Sequence, residues 1–264
     1  MAGRRLIPPL LAVLLSIAAA SASAEELRTP IISIIIDDVG YRHRQDLEAL
    51  RLPGPVAFAI LPHSPHAEEM SALALRDGKD ILLHLPMEAV KAEQNRFLGP
   101  GGLMLDMDHE EFLDTLRQNF RSVPDAIGVN NHMGSLLTKH AGRMEWLMEY
   151  LKSNGKFYID SMTSNMSVAG TVAARTKVPS LSRDIFLDNH QDAQDIRIQF
   201  RELIDMAHRK GSALAIGHPH PETIAVLREE LARLAAYGVE LVGVRELLLE
   251  AHRPARVVPA NLRR

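Results

Sequence analysis

The chain has 264 residues, 46% of them apolar and 24% charged, with a formal net charge of −3 and no cysteine. This length and composition exclude a disordered chain and leave room for one large core. They also exclude disulfides as a source of stability, and an acidic balance without a basic stripe argues against a nucleic-acid partner.

Residues 1–24 differ from all that follows. Arg4 and Arg5 precede an apolar stretch over 6–20, and Ala22-Ser23-Ala24 comes next. This is the pattern of a cleavable secretory signal, with cleavage expected after Ala24. The apolar part is shorter than the roughly 20 residues of a membrane span. The expectation is therefore a periplasmic or secreted protein with no membrane span after cleavage.

From residue 31 onward, short β-rich runs alternate with amphipathic segments. Strands are predicted at 31–37, 56–61, 80–85, 126–131, 157–160, 180–187, 213–217 and 239–244. Several are almost continuously apolar, as strands buried on both faces should be. Between them, Asp108 and Glu111 form a capping box ahead of Phe112, Leu113, Leu116 and Phe120. Met144, Leu147, Met148 and Leu151 make a second helical stripe, closed by Asn154-Gly155, and its methionines read as core. A third stripe, Ile196, Phe200, Leu203, Ile204 and Ala207, stops at Gly211. A fourth starts at Pro221, runs through Ile224, Leu227, Leu231 and Leu234, and precedes Gly238.

Seven or eight strand-helix units predict one α/β domain over 25–250, a barrel of parallel strands, with an open doubly wound sheet as the alternative. Residues 251–264, rich in Pro and Arg, read as a loose tail. The connection over 88–107, which contains Leu98-Gly99-Pro100-Gly101-Gly102, is longer than a connector requires and is expected to cover substrate.

Polar residues gather at the predicted strand ends. The first strand ends in Asp37-Asp38, the second in Pro62-His63, the third in His84 and the fourth in Asn131-His132. The fifth ends in Asp160-Ser161, the sixth contains Arg183 and Asp184, and the seventh leads into His218-Pro219-His220. Adjacent strand residues point to opposite faces, so Asp37 and Asp38 can serve one site only where the strand ends and turns. In a βα barrel all these ends meet on one rim, where such folds carry their chemistry. One carboxylate with two imidazoles suits a divalent ion, Zn²⁺ first among them. A second carboxylate could then act as a base and a further histidine as an acid. No G-x-S-x-G, Walker loop, G-x-G-x-x-G or H-E-x-x-H is present, and nothing local marks Ser135 or Ser161 as a nucleophile.

The strand ending in Asp-Asp, followed in order by GKDILLHLPME, NNHMGS, YIDSMTS, SRDIFLDN and AIGHPH, resembles the divergent polysaccharide deacetylase family, exported relatives of the NodB-type carbohydrate esterases. The resemblance covers about 31–247. It implies a distorted (β/α) barrel of the NodB type and metal-dependent removal of N- or O-acetyl groups from a cell-envelope polysaccharide. It also implies Asp37 as general base, Asp38 and His84 as metal ligands, and His218 as general acid. Where the better-known esterases carry a second histidine four residues after the first, this chain has Glu88. The expectation is that His132 supplies that imidazole, with Glu88 binding through water or lining the pocket. Asn131, Asp160, Arg183, Asp184 and His220 are expected around this site, holding histidines or touching substrate. The departure in the ligand set also motivates an alternative, a glycan-binding or envelope-assembly factor without turnover.

Overall fold

The computed structural model describes residues 29–253. The predicted signal over 1–24 and residues 254–264 of the predicted tail lie outside the described residues. The first half consists of β1 (Ile31–Val39), α1 (His43–Leu50), β2 (Ala57–Ile60), α2 (Ala67–Arg76), β3 (Ile81–Met87), α3 (His109–Ser122), β4 (Gly128–Met133) and α4 (Ala141–Ser153). The second half consists of β5 (Phe157–Asp160), α5 (Ala169–Thr176), β6 (Ser180–Ser182), β7 (Ile185–Phe186), α6 (Ala193–Lys210), β8 (Ser212–Gly217), α7 (Pro221–Leu231), α8 (Leu234–Tyr237), β9 (Glu240–Leu241) and α9 (Val244–Ala251).

Every strand pair is parallel, in the order β6-β5-β4-β3-β2-β1-β8-β7, with β9 beside the start of β1. The sheet curls into a distorted barrel with helices around it, the NodB-like α/β architecture rather than a doubly wound sheet. Side chains of alternate parity separate into two cores. Ile32, Ile34 and Ile36 of β1 pack towards the helices with Leu83, Val129 and Ala215, whereas Ile35 packs inside the curl with Ala57, Leu82, Ile159 and Ile216. That alternation is the plain consequence of the pleat.

The expected helix ends are present. Asp108 accepts from the amides of Glu110 and Glu111, and Glu111 returns a bond to the Asp108 amide. Met144, Leu147, Met148 and Leu151 are buried on α4, and Gly211 closes α6 in the left-handed region at φ 85°. Most strand ends shift by one or two residues: β1 runs to Val39, β3 to Met87 and β4 to Met133. The predicted strand 239–244 keeps only Glu240–Leu241, because Val244 begins α9. Leu234 belongs to a separate short helix, not to the α7 stripe. Helix α9 runs one residue past the domain boundary drawn at 250.

A further difference lies in the topology of the sheet. The predicted strand 180–187 is two strands, β6 paired to β5 and β7 paired to β8, at opposite ends of the order. Between them the Arg183 amide donates to Asp160 O and the Asp184 amide to Leu214 O, both at 2.9 Å. One crossing segment thus bonds to both ends of the curled sheet. Asp184 completes this clamp: its carboxylate accepts from the Leu214 amide at 3.0 Å and from Lys210 Nζ at 2.9 Å. Its expected place beside the rim histidines is therefore corrected, since its bonds tie the seam. Asp184→Ala is expected to lower stability by about 1–3 kcal/mol by stripping a buried amide of its acceptor. A urea midpoint that falls with an unchanged slope would bear this out, and an unmoved midpoint would contradict it.

Candidate metal and catalytic site

The pleat decides which strand-end residues meet. Asp37 shares the inward parity of Ile35, His84 that of Leu82, and His218 that of Leu214 and Ile216. On β4, where Val129 faces the helices, Asn130 and His132 face inward and Asn131 does not. Asp38 has the wrong parity, and the backbone corrects it. Asp38 lies in the left-handed region at φ 58°, and the pairing of β1 with β2 slips between Ile36 and Val39. A non-glycine residue in that region costs roughly 1–2 kcal/mol, and the turn brings both aspartates to one site. Gly40 follows at φ 123°, where any Cβ would collide with Ser64 Oγ.

Asp38 Oδ1 stands 2.9 Å from His132 Nδ1 and 3.0 Å from His84 Nε2, and those two nitrogens are 3.2 Å apart. Three donors bound to one tetrahedral ion at about 2.0–2.2 Å stand roughly 3.3 Å from one another. Asp38 Oδ1 is buried and has no hydrogen bond of acceptable geometry, the condition of an atom shaped for a cation. Burial would push the Asp38 pKa up, but the imidazoles of His132 and His84 outweigh it and hold the carboxyl well below the usual range.

Asn130 sets the tautomer of His84. Its Nδ2 donates to Asp37 Oδ1 at 2.7 Å, so its Oδ1 faces His84 Nδ1 at 2.9 Å and accepts. A neutral His84 then presents the Nε2 lone pair to Asp38 and His132, the form that ligates a divalent ion. Burial works against charge on His84, yet Asp37 and Asp38 raise its pKa. A proton and a metal ion therefore compete for this place. The donor set of one carboxylate and two imidazoles fits zinc or a similar ion.

Asp37 and His218 flank this group. Asp37 Oδ2 is 3.7 Å from His84 Nε2, and burial raises the Asp37 pKa against the pull of His84 and His218. His218 Nε2 is 3.9 Å from Asp38 Oδ2, while its Nδ1 is 2.9 Å from Asp188 Oδ1. Asp188 Oδ2 also accepts from the His218 amide at 2.6 Å and from Thr223 Oγ1 at 2.8 Å. Burial pulls the His218 pKa down, but the Asp188 bond, with Asp38 and Asp37 beyond, pushes it up to about 9.

The other expected residues divide. Arg183 donates to Ser161 O at 2.8 Å and Met162 O at 3.2 Å, and burial lowers its pKa against the pull of Asp37 and Asp160. His220 lines the pocket, with Arg42 Nη1 at 3.3 Å from its Nδ1. Asn131 is corrected to a brace: its Oδ1 accepts from Tyr158 Oη and the Ser161 amide, and its Nδ2 donates to Met133 O. Asp160 is likewise a local brace, accepting from the Met162 amide and Ser167 Oγ. Glu88 accepts from the Leu105 amide at 2.6 Å, so its carboxylate ties the long loop and stands outside the donor group. His63, at the end of β2, pairs with Asn119. Sequence reasoning missed Asn130 and Asp188. The alternation along β4 could have found Asn130; Asp188 lies in a loop, where no periodicity applies.

A cavity of about 500 Å³ opens onto Asp38, His132, His218 and His220. Phe97, Leu98 and Gly99 of the long loop form one wall, with Tyr41 and Leu61 nearby.

A NodB-like barrel whose carboxyl rim joins two aspartates to three histidines defines the structural class. The pattern of the divergent polysaccharide deacetylase family matches residues 34–248, and the protein belongs to that family. It is 37% identical over 230 residues to the uncharacterized protein YibQ of Escherichia coli K12, covering 87% of this chain and 71% of that protein. It is 41% identical over 216 residues to an uncharacterized protein of Haemophilus influenzae Rd, covering 82% and 76%. The crystal structure of an uncharacterized protein from Agrobacterium tumefaciens C58 superposes with a TM-score of 0.80 at 23% identity, covering 84% of this chain and 90% of that one. A CE4 family pseudoenzyme from Bacillus anthracis shares the fold at a TM-score of 0.50 and 10% identity, covering 84% and 66%.

Asn130→Ala is expected to weaken zinc binding about 10–100-fold, because His84 loses the partner that fixes its tautomer. Competition against a chromogenic chelator measures it, and unchanged affinity would remove Asn130 from the site.

Proposed function

We propose that the protein is an exported, metal-dependent hydrolase that removes N- or O-acetyl groups from a cell-envelope polysaccharide. The observation that carries this reading is the pairing of Asp37 with the Asp188-held His218 on either side of a convergent three-donor group. Family membership supports the substrate class. The leader pattern over 1–24 supports export to the periplasm. Among the described residues no helix is long and apolar enough to cross a membrane.

Asp38, His84 and His132 would hold the ion. When bound, it supplies Lewis acidity towards the acyl oxygen and lowers the pKa of water. Asp37 takes the proton of the attacking water: its Oδ1 is occupied by Asn130, its Oδ2 is turned towards the donor group, and burial raises its pKa, which strengthens it as a base. His218, with Nδ1 engaged by Asp188, carries a proton on Nε2 for the departing sugar nitrogen or oxygen. Acetyl group plus water thus yields acetate and a free amine or hydroxyl. The apolar wall around Phe97 offers a face for a sugar ring.

A second reading, a glycan-binding factor without turnover, is favoured by the use of Glu88 to tie a loop where related esterases place a histidine. Acetate release separates the two. The zinc-loaded parent is expected to release acetate from acetylated envelope glycan, and Asp37→Asn to lose about 10²–10⁴-fold in rate while keeping its metal. Glycan binding without any product in the parent would select the second reading.

The pH profile tests the acid. His218 must be protonated, so activity is expected to fall as pH rises through about 9. Asp188→Asn removes the main interaction that raises it, so the alkaline limb should move down, towards the ordinary imidazole value of about 6.5. A limb unmoved in Asp188→Asn would assign the acid to another group.

A further inference from the structure

A second group of metal-type donors lies on the rim, apart from the one described above. His43 opens α1, while His66 and Glu69 sit at the start of α2. His43 Nε2 is 3.1 Å from both Glu69 oxygens, and His66 Nδ1 is 3.8 Å from Glu69 Oε2. One donor atom from each residue lies within 4.8 Å of the others, and the two rings are 4.6 Å apart. We propose that His43, His66 and Glu69 form a second divalent-metal site, of the zinc type, at the edge of the pocket.

The geometry distinguishes this group from an ordinary surface ion pair. His43 Nε2 reaches both oxygens of Glu69, a contact that an ion pair alone could make, and His66 brings a second imidazole to the same carboxylate. A surface pair needs no second imidazole beside it. His66 has N-cap position on α2, yet its side chain makes no capping bond and is turned to Glu69 instead.

The backbone beneath is pinned, so little ordering is left to binding. The His66 amide donates to Gly40 O at 3.0 Å, and Asp46 Oδ2 accepts from the amides of Gly40 and Arg42 at 2.9 and 3.1 Å. Both helix N-termini oppose a cation, but the carboxylates of Glu68 and Glu69 in the first turn of α2 offset them. Two imidazoles and one carboxylate favour zinc, nickel or copper over magnesium or calcium. An ion there would join α1 to α2 directly beside Tyr41 and Arg42, which form part of the pocket wall. It would stiffen that wall and leave the inner donors untouched.

The test is metal content of the purified, untagged chain after zinc loading and gel filtration, with thermal melts alongside. The parent is expected to hold about two equivalents of zinc, and His43→Ala, Glu69→Gln and His132→Ala about one each, with almost none in His43→Ala/His132→Ala. Zinc should still raise the melting temperature of His132→Ala, as binding to the native state requires, and should not raise that of the double variant. Excess magnesium should displace none. One equivalent in the parent, lost in His132→Ala but kept in His43→Ala and Glu69→Gln, would overturn the second site and leave the inner one standing. Two equivalents surviving in Glu69→Gln and His43→Ala would overturn it as well. Because the readout is metal and melting, failure of acetate release bears only on the hydrolase reading.

Discussion

The left-handed turn at Asp38 is the constraint on which the rest of the site depends. A regular strand would send Asp37 into the curl and Asp38 among the helices, with one carboxylate lost to the site. Setting φ to 58° and slipping the register against β2 sends both to the rim. The cost, about 1–2 kcal/mol, is small beside the burial of a β1 in which Ile32, Ile34, Ile35 and Ile36 are all fully covered. Strain of this kind persists where the surroundings over-determine it. Here Asp46 fixes the next turn by binding the Gly40 and Arg42 amides, and Gly40 leaves room for Ser64.

Much of this was legible in the sequence because two periods, that of the helix and that of the pleat, were written plainly. The capping box at Asp108, the Met stripe of α4 and the apolar runs of β1 and β3 all fell where pattern placed them. Convergence of Asp37, Asp38, His84, His132 and His218 was legible for the same reason, since each lies in the carboxyl-terminal half of a strand or just past it. Errors arose where strand-end position was used without parity. Asn131 and Asp160 are at strand ends but face the helix layer, and each braces a loop. Asn130, one residue earlier and facing inward, joins Asp37 to His84. The run 180–187 reads as one strand although Arg183 and Asp184 interrupt it where it divides. Only the closing of the sheet divides it, and that is a long-range event no local pattern encodes.

The charges of the site form two linked pairs around the donor group. On one side Asn130 couples Asp37 to His84, so that a proton held by either is felt by the other through a single amide. On the other side Asp188 holds His218 by main chain and side chain together. Burial shifts both partners of an isolated pair towards neutrality. Here the His218 contact overrides burial and keeps the Asp188 pKa below the usual range, so the imidazolium has a fixed counter-charge behind it. Asp37 and His218, both with raised pKa, thus stand 3.7 and 3.9 Å from members of one three-donor group.

The third member of the donor group, His132, comes from β4, while Glu88 is engaged elsewhere. Strand β3 ends at Met87, and position 88 enters the long loop, where its carboxylate ties the Leu105 amide. His132 instead stands in register with Pro86 on the neighbouring strand, one inward pair beyond His84 and Asn130. Adjacent parallel strands lie about 4.8 Å apart and inward positions about 6.6 Å along the chain, a spacing that two imidazole side chains close to the observed 3.2 Å. The donor group is thus held by hydrogen-bonded sheet rather than by a loop. The loop over 88–107 contributes Phe97, Leu98 and Gly99 to the pocket wall instead.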